Sequence, residues 1–352
     1  MTTPRIEQDR FGTTRDGVAV DRYTLFGRAG LKVRLIAFGA TVTELWAPDR
    51  RGEPADVVLG FDSLEPYETR SPYFGSTVGR VAFRIAHSVF TLEGHVYHLT
   101  PNSGPHHLHG GPGGFPWRVW RAEPIESDDG PAVRFTLRSP HGDQGYPGNL
   151  DATARYTVTE RNELRIELTA KCDRPTPVNM THHGYFNLAG AGSGDVLGHV
   201  VRIDADRYSV VDEATIPTGE LAGVEGTPFD FRKPTAVAAR IKQVGGEPGG
   251  YDLAYLLTQH DGSLRSAAAA YEPKSGRQLE VLTTEPALVF YTGNYLDGTL
   301  RGKGGSAYPK HAGLCLEPGG LPDAVNHPAF PSIILRPGET YRHLTVYRFS
   351  AR

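Results

Sequence analysis

Apolar and polar residues alternate with period two through the middle of the chain, the spacing of strands with one buried and one wet face. Val133, Phe135 and Leu137 alternate with polar partners, and so do Ala152, Ala154, Tyr156 and Val158. Leu164, Ile166, Leu168 and Ala170 alternate with Arg165, Glu167 and Thr169. The pattern predicts half-buried antiparallel strands, with the polar connector 159–163 short enough for a hairpin. Residues 90–92 and 96–99 flank Glu93-Gly94 as a second hairpin, and Leu335 to Tyr341, around Pro337-Gly338, reads as a third. The apolar run Gly313-Leu314-Cys315-Leu316 predicts a buried strand that ends at Glu317. No long helical periodicity competes with these signals.

The 42 glycines and 27 prolines fit many turns between many short strands, and stay below the range that marks disorder. At 352 residues the length alone suggests two domains, but all-β chains often exceed that rule as one unit. No fixed-period repeat, low-complexity block or linker appears. The expected architecture is therefore all-β, one large antiparallel sandwich spanning residues 1–352 as a single domain. Gly190-Ala191-Gly192-Ser193-Gly194 lacks the lysine and the strand-to-helix context of a phosphate loop and reads as a turn.

A net charge of −3, from 37 basic and 40 acidic residues with no long basic run, argues against a nucleic-acid partner. Cys172 and Cys315, far apart, make neither a disulfide framework nor a four-ligand zinc site. They read as reduced thiols in a cytoplasmic core. The first ten residues lack the apolar stretch of a signal peptide, and no run approaches the ~18 apolar residues of a membrane span. A soluble cytoplasmic protein, monomer or homodimer, is expected.

Four stretches mix glycine, histidine, carboxylate and aromatics more densely than folding requires. They are Gly79-Arg80-Val81-Ala82-Phe83-Arg84-Ile85, the run 102–111 with His106, His107 and His109, the run Thr181-His182-His183-Gly184-Tyr185-Phe186-Asn187, and Leu314-Cys315-Leu316-Glu317-Pro318-Gly319-Gly320-Leu321-Pro322-Asp323-Ala324. His107 and His109 would project from one face if extended, the start of a metal site. The residues after His109 are Gly110-Gly111-Pro112-Gly113-Gly114, with no carboxylate to complete it, and no metal is expected. Histidine exchanges protons near neutral pH, and a partly desolvated Glu317 gains proton affinity toward the range of a general base. Together they form a candidate acid/base pair.

The four stretches in this order resemble the aldose 1-epimerase (galactose mutarotase) family. Similarity continues through Gly226-Thr227-Pro228-Phe229-Asp230-Phe231, Gly250-Tyr251-Asp252, Thr283-Thr284-Glu285-Pro286 and Pro337-Gly338-Glu339. The resemblance implies a β-supersandwich that interconverts the α and β anomers of an aldose without metal or organic cofactor. It implies Glu317 as base, His183 as acid, His109 hydrogen-bonding near the ring oxygen, and Arg84 and Asp252 gripping sugar hydroxyls. Phe83, His182, Val289 and Tyr185 are expected in the sugar pocket. Where the family usually has asparagine this chain has Phe83 and His182; where it has glutamine, Val289; and where it has Thr-Gln after the glutamate, Pro318-Gly319. Phe83 and Val289 remove two amides from the expected wall, which points to a less polar ligand than galactose. Three other readings stay open: the same trio acting on a deoxy sugar, its use for isomerisation or cyclisation of a less hydroxylated metabolite, and a sugar-binding module without turnover. A glycoside hydrolase is disfavoured because that chemistry normally uses two carboxylates.

Overall fold

The computed structural model describes residues 3–125 and 127–352. Three antiparallel sheets carry most of the strand residues. The largest has nine strands in the spatial order Arg121–Ile125, Ala132–Ser139, Leu150–Val158, Glu163–Cys172, Tyr341–Ala351, Arg277–Thr283, Arg265–Tyr271, Val200–Ile203 and Thr235–Ala236. A five-stranded sheet follows chain order from Arg5–Thr13 to Pro54–Asp56. A second five-stranded sheet carries the site, in the order Pro217–Gly223, Arg207–Val211, Asp252–Leu256, Ala287–Tyr291 and Cys315–Gly319.

The alternation seen in the sequence is what joins the sheets. Val133, Phe135, Ala154, Tyr156, Leu164 and Ile166 point inward from the large sheet and pack with Leu25 and Val33 of one five-stranded sheet and Tyr255, Phe290 and Leu316 of the other. Because successive side chains on a strand face opposite sides, burying Tyr255, Phe290 and Leu316 turns Ala254, Val289, Cys315 and Glu317 to the other face. There they meet a second apolar cluster containing Phe83 and Tyr185. The architecture is thus an all-β antiparallel sandwich, and its site sheet is buried on both faces. Among the described residues the one α-helix is Leu64–Thr69, and none is long and apolar enough to cross a membrane.

Two hairpins form as the sequence suggests. The strands Val89–Leu92 and His95–His98 pair through Glu93 and Gly94, both at positive φ (50° and 79°), the conformation of a tight primed turn. The turn at 159–163 closes on Asn162 at φ 57°, and the following strand begins at Glu163. The third expectation is corrected: Leu335 and Tyr341 do not pair with each other. Ile334–Leu335 pairs with Thr176–Pro177, whereas Tyr341–Ala351 lies between two strands of the large sheet, so both its edges are already occupied. Glu317 is likewise not at a strand end. The strand runs Cys315–Gly319 through Pro318, which is tolerated because it is the edge of its sheet and one side needs no N–H donor.

Candidate active site

Glu317 sits mid-strand, 2% exposed, directly opposite Val289. Its Oε2 has no hydrogen-bond partner among the described residues. Burial, and secondarily the nearby Asp252 charge, push its proton affinity well above the usual carboxylate range. His183 arrives from the short strand Thr181–His183, pinned by pairing with Ser76–Val78. Its Nε2 lies 3.7 Å from Glu317 Oε1, and its Nδ1 lies 3.7 Å from Cys315 Sγ. The His183 ring is held between two tyrosines, with Tyr185 at 5.0 Å and 8° and Tyr73 at 5.9 Å and 16°. Burial lowers the His183 pKa to about 3, so the isolated ring is neutral.

His109 completes the group. Its ring is 5.1 Å from that of His183 and 4.7 Å from that of Tyr73. The Phe83 backbone N–H donates to His109 Nδ1 at 3.2 Å, and the His109 N–H donates back to the Phe83 carbonyl at 3.0 Å. With Nδ1 acting as acceptor, a neutral ring carries its proton on Nε2. Burial, followed by His183 and Arg84, holds the pKa well below the usual histidine value, so the neutral form is the one present. His109 is therefore a fixed donor. The expectation that His107 and His109 share a face is corrected: His109 adopts φ 52°, which breaks the alternation. His107 turns the other way, to the Thr100 carbonyl and the Tyr146 hydroxyl.

Arg84 and Asp252 face each other at 4.0 Å, a loose ion pair. Burial raises the Asp252 pKa and Arg84 opposes the rise. The Arg84 strand is held by Asp323, which donates its N–H to the Arg84 carbonyl and accepts from the Ala86 N–H. Phe83, Arg84, Ser209, Asp252 and Val289 line one small cavity of about 30 Å³. Ser209 and Asp252 also border an adjoining cleft of about 640 Å³.

Two pocket expectations come out differently. His182 points away from the site because its neighbour on the strand, His183, points in. It packs edge-on against Tyr156 and Tyr347 of the main core, and neither ring nitrogen makes a well-formed hydrogen bond among the described residues, although the Gly75 backbone lies near. Tyr185 donates its hydroxyl to the Pro72 carbonyl at 3.1 Å, so what it gives the site is its ring, stacked on His183. Tyr73 and the thiol of Cys315 carry no signal in the sequence. Tyr73 reaches His109 and His183 from a backbone at φ 68°.

One candidate ligand atom each of His183, Cys315 and Glu317 lies within 4.8 Å of the others, the spacing of a metal site. The donor set fits poorly. One imidazole supplies one metal-directed nitrogen, and here Nδ1 faces the thiol while Nε2 faces the carboxylate. Burial also keeps the Cys315 thiol protonated, whereas a metal takes a thiolate. A buried carboxylate with a free oxygen, an imidazole beside it and a fixed donor on the far side are suited to proton exchange with a neutral hydroxylated ligand.

The aldose 1-epimerase family model matches residues 21–348. The chain is 47% identical over 320 residues to galactose mutarotase of Bos taurus, covering 91% of each chain. It is 42% identical over 340 residues to aldose 1-epimerase of Escherichia coli, covering 96% of this chain and 97% of that one. The solved structure of an aldose epimerase homologue from C. elegans superposes with a TM-score of 0.86 at 34% identity, over 99% of both chains.

Proposed function

The chain belongs to the aldose 1-epimerase family, and from that premise we propose that it interconverts the α and β anomers of an aldose by opening and reclosing the pyranose ring. The observation that carries this reading is the buried Glu317–His183 pair, 3.7 Å apart, with Glu317 Oε2 free to meet a ligand. Glu317 removes the proton from the anomeric hydroxyl while His183 delivers one to the ring oxygen, and the C1–O5 bond breaks to leave the open-chain aldehyde. Rotation about C1–C2 presents the other carbonyl face. The two groups then exchange roles, so each turnover returns the pair to its starting protonation.

Burial favours the proton on Glu317, since it raises that carboxyl and lowers His183. A sugar hydroxyl donating to Glu317 favours the ionised carboxylate, so substrate itself moves the shared proton toward His183. His109 offers its Nε2–H to the ring oxygen region, and Arg84 and Asp252 hold hydroxyls. No step calls for a metal or an organic cofactor.

The test is polarimetry of freshly dissolved α-D-galactose and α-D-glucose with and without the protein. Acceleration that Glu317→Gln abolishes supports the reading, and unchanged relaxation refutes it. Phe83 and Val289 on the cavity wall favour a second reading, in which the same pair serves a deoxy sugar; direct competition between hexoses and deoxyhexoses separates the two.

A further inference from the structure

The register of the site sheet fixes a row of side chains across four strands. Val289 stands opposite Glu317, and Ala254 opposite Val289. Tyr208 pairs with Tyr255, and continuing that register brings Ser209 alongside Ala254. Strands lie about 4.8 Å apart, so the row spans roughly 14 Å from Glu317 to Ser209, backbone to backbone. Its ends are polar and its middle is not.

Ser209 is 1% exposed, and its Oγ has no hydrogen-bond partner among the described residues. Its ladder with the neighbouring strand shifts register between Ser209 and Val211. It lines the same cavity as Arg84, Asp252, Phe83 and Val289. Buried hydroxyls are satisfied in the great majority of cases, and one on a cavity wall without a protein partner is open to a hydroxyl of a ligand.

We propose that Ser209 is a further substrate-binding residue, taking the sugar hydroxyl farthest from the anomeric carbon. This rests on the aldose reading above. With C1 at Glu317, the length of the row excludes a group on C2 and fits a pyranose laid lengthwise, hydrogen-bonded at each end. Val289 and Ala254 between them recognise only shape. The substrate class is an aldopyranose whose far hydroxyl, at C4 or C6, is read by Ser209.

The experiment compares wild type, Ser209→Ala and Ser209→Thr on galactose and its 4-deoxy and 6-deoxy analogues, with thermal melting as the folding control. Ser209→Ala is expected to raise KM for galactose about 5- to 10-fold with kcat within about twofold, as loss of one uniform hydrogen bond does. Thr is expected to restore it, and the analogue lacking the hydroxyl that Ser209 holds is expected to show no change. An equal loss on all three sugars, or none on any, overturns the inference. If wild type accelerates no sugar, the enzymatic reading fails by itself. Ser209 is then decided by NMR titration of the same sugars: weaker galactose binding by Ser209→Ala, with one deoxy analogue unaffected, supports it, and any other pattern, including no binding to wild type, overturns it.

Discussion

The ring of Phe83 occupies the space that a side chain at Gly319 would take: a Cβ on Gly319 would lie 2.9 Å from Phe83 Cε2 and 3.1 Å from Asn179 Oδ1. The two positions are therefore sterically coupled, the ring of Phe83 at a bend before Arg84 being accommodated by the bare backbone of Gly319. Gly319→Ala is expected to cost roughly 1–3 kcal/mol through overpacking, and Phe83→Ala in the same chain is expected to recover part of that cost. A double-mutant cycle by urea denaturation measures the coupling. Strict additivity of the two changes would remove the claim that they share one space.

Glu317→Gln separates catalysis from stability. Anomer exchange is expected to fall by about 10²–10⁴-fold, the contribution of a positioned base, while the fold is retained. The sign for stability follows from the raised pKa. Between the unfolded value of about 4.3 and the higher folded one, the native state holds more protons than the unfolded state. This contribution is therefore lost as pH rises through that window. The glutamine variant lacks this slope and is expected to gain on wild type as pH increases, read from denaturation midpoints across pH. A variant that loses ground with rising pH contradicts the assigned burial.

The fixed tautomer of His109 is open to direct observation. With Nδ1 accepting the Phe83 N–H, ¹⁵N NMR is expected to show the proton on Nε2, with no protonation on lowering pH through 6. His109→Ala is expected to reduce kcat/KM by about 10- to 100-fold, the loss of one donor to a developing charge. A ring found protonated at Nδ1 would withdraw it as a donor to the sugar.

Much of this was legible in the chain because it depends on local periodicity. Period-two alternation at 133–137, 152–158 and 164–170 marked the strands whose inner faces now form the core. Glu317 and the histidines were legible as candidates because they stand in dense, chemically mixed runs, and the choice of His183 came from the family resemblance. What escaped depends on pairing between distant strands or on backbone signs that composition does not encode. The placement of Glu317 in mid-strand required knowing that Pro318 lies on a sheet edge. The sandwich of His183 between Tyr73 and Tyr185 required a left-handed Tyr73, and Ser209 became visible only when the register set it in line with Glu317. His182 and His183 look alike in the sequence, but a strand sends them to opposite faces.

His182 and His183 show the sharpest contrast between neighbours. His182 lies in the core against Tyr156 and Tyr347, and burial lowers its pKa to about 3. An unfolded histidine titrates near about 6.5, so below that pH the unfolded chain binds more protons at this position than the folded one. The folded state therefore loses stability as pH falls from about 6.5 toward 3, by about 1.4 kcal/mol per unit at most for this residue. His182→Phe removes the titration and two ring nitrogens that make no well-formed hydrogen bond among the described residues, while keeping a ring against the tyrosines. It is expected to be more stable than wild type by a margin that widens on acidification, with anomer exchange retained. His183→Phe, one residue away, removes the imidazole that faces Glu317, the proposed acid, and is expected to abolish exchange. Melting curves from pH 4 to 8, run beside activity, distinguish the two. If His182→Phe were the inactive variant and His183→Phe the active one, the assignment of which histidine faces the sugar would be reversed.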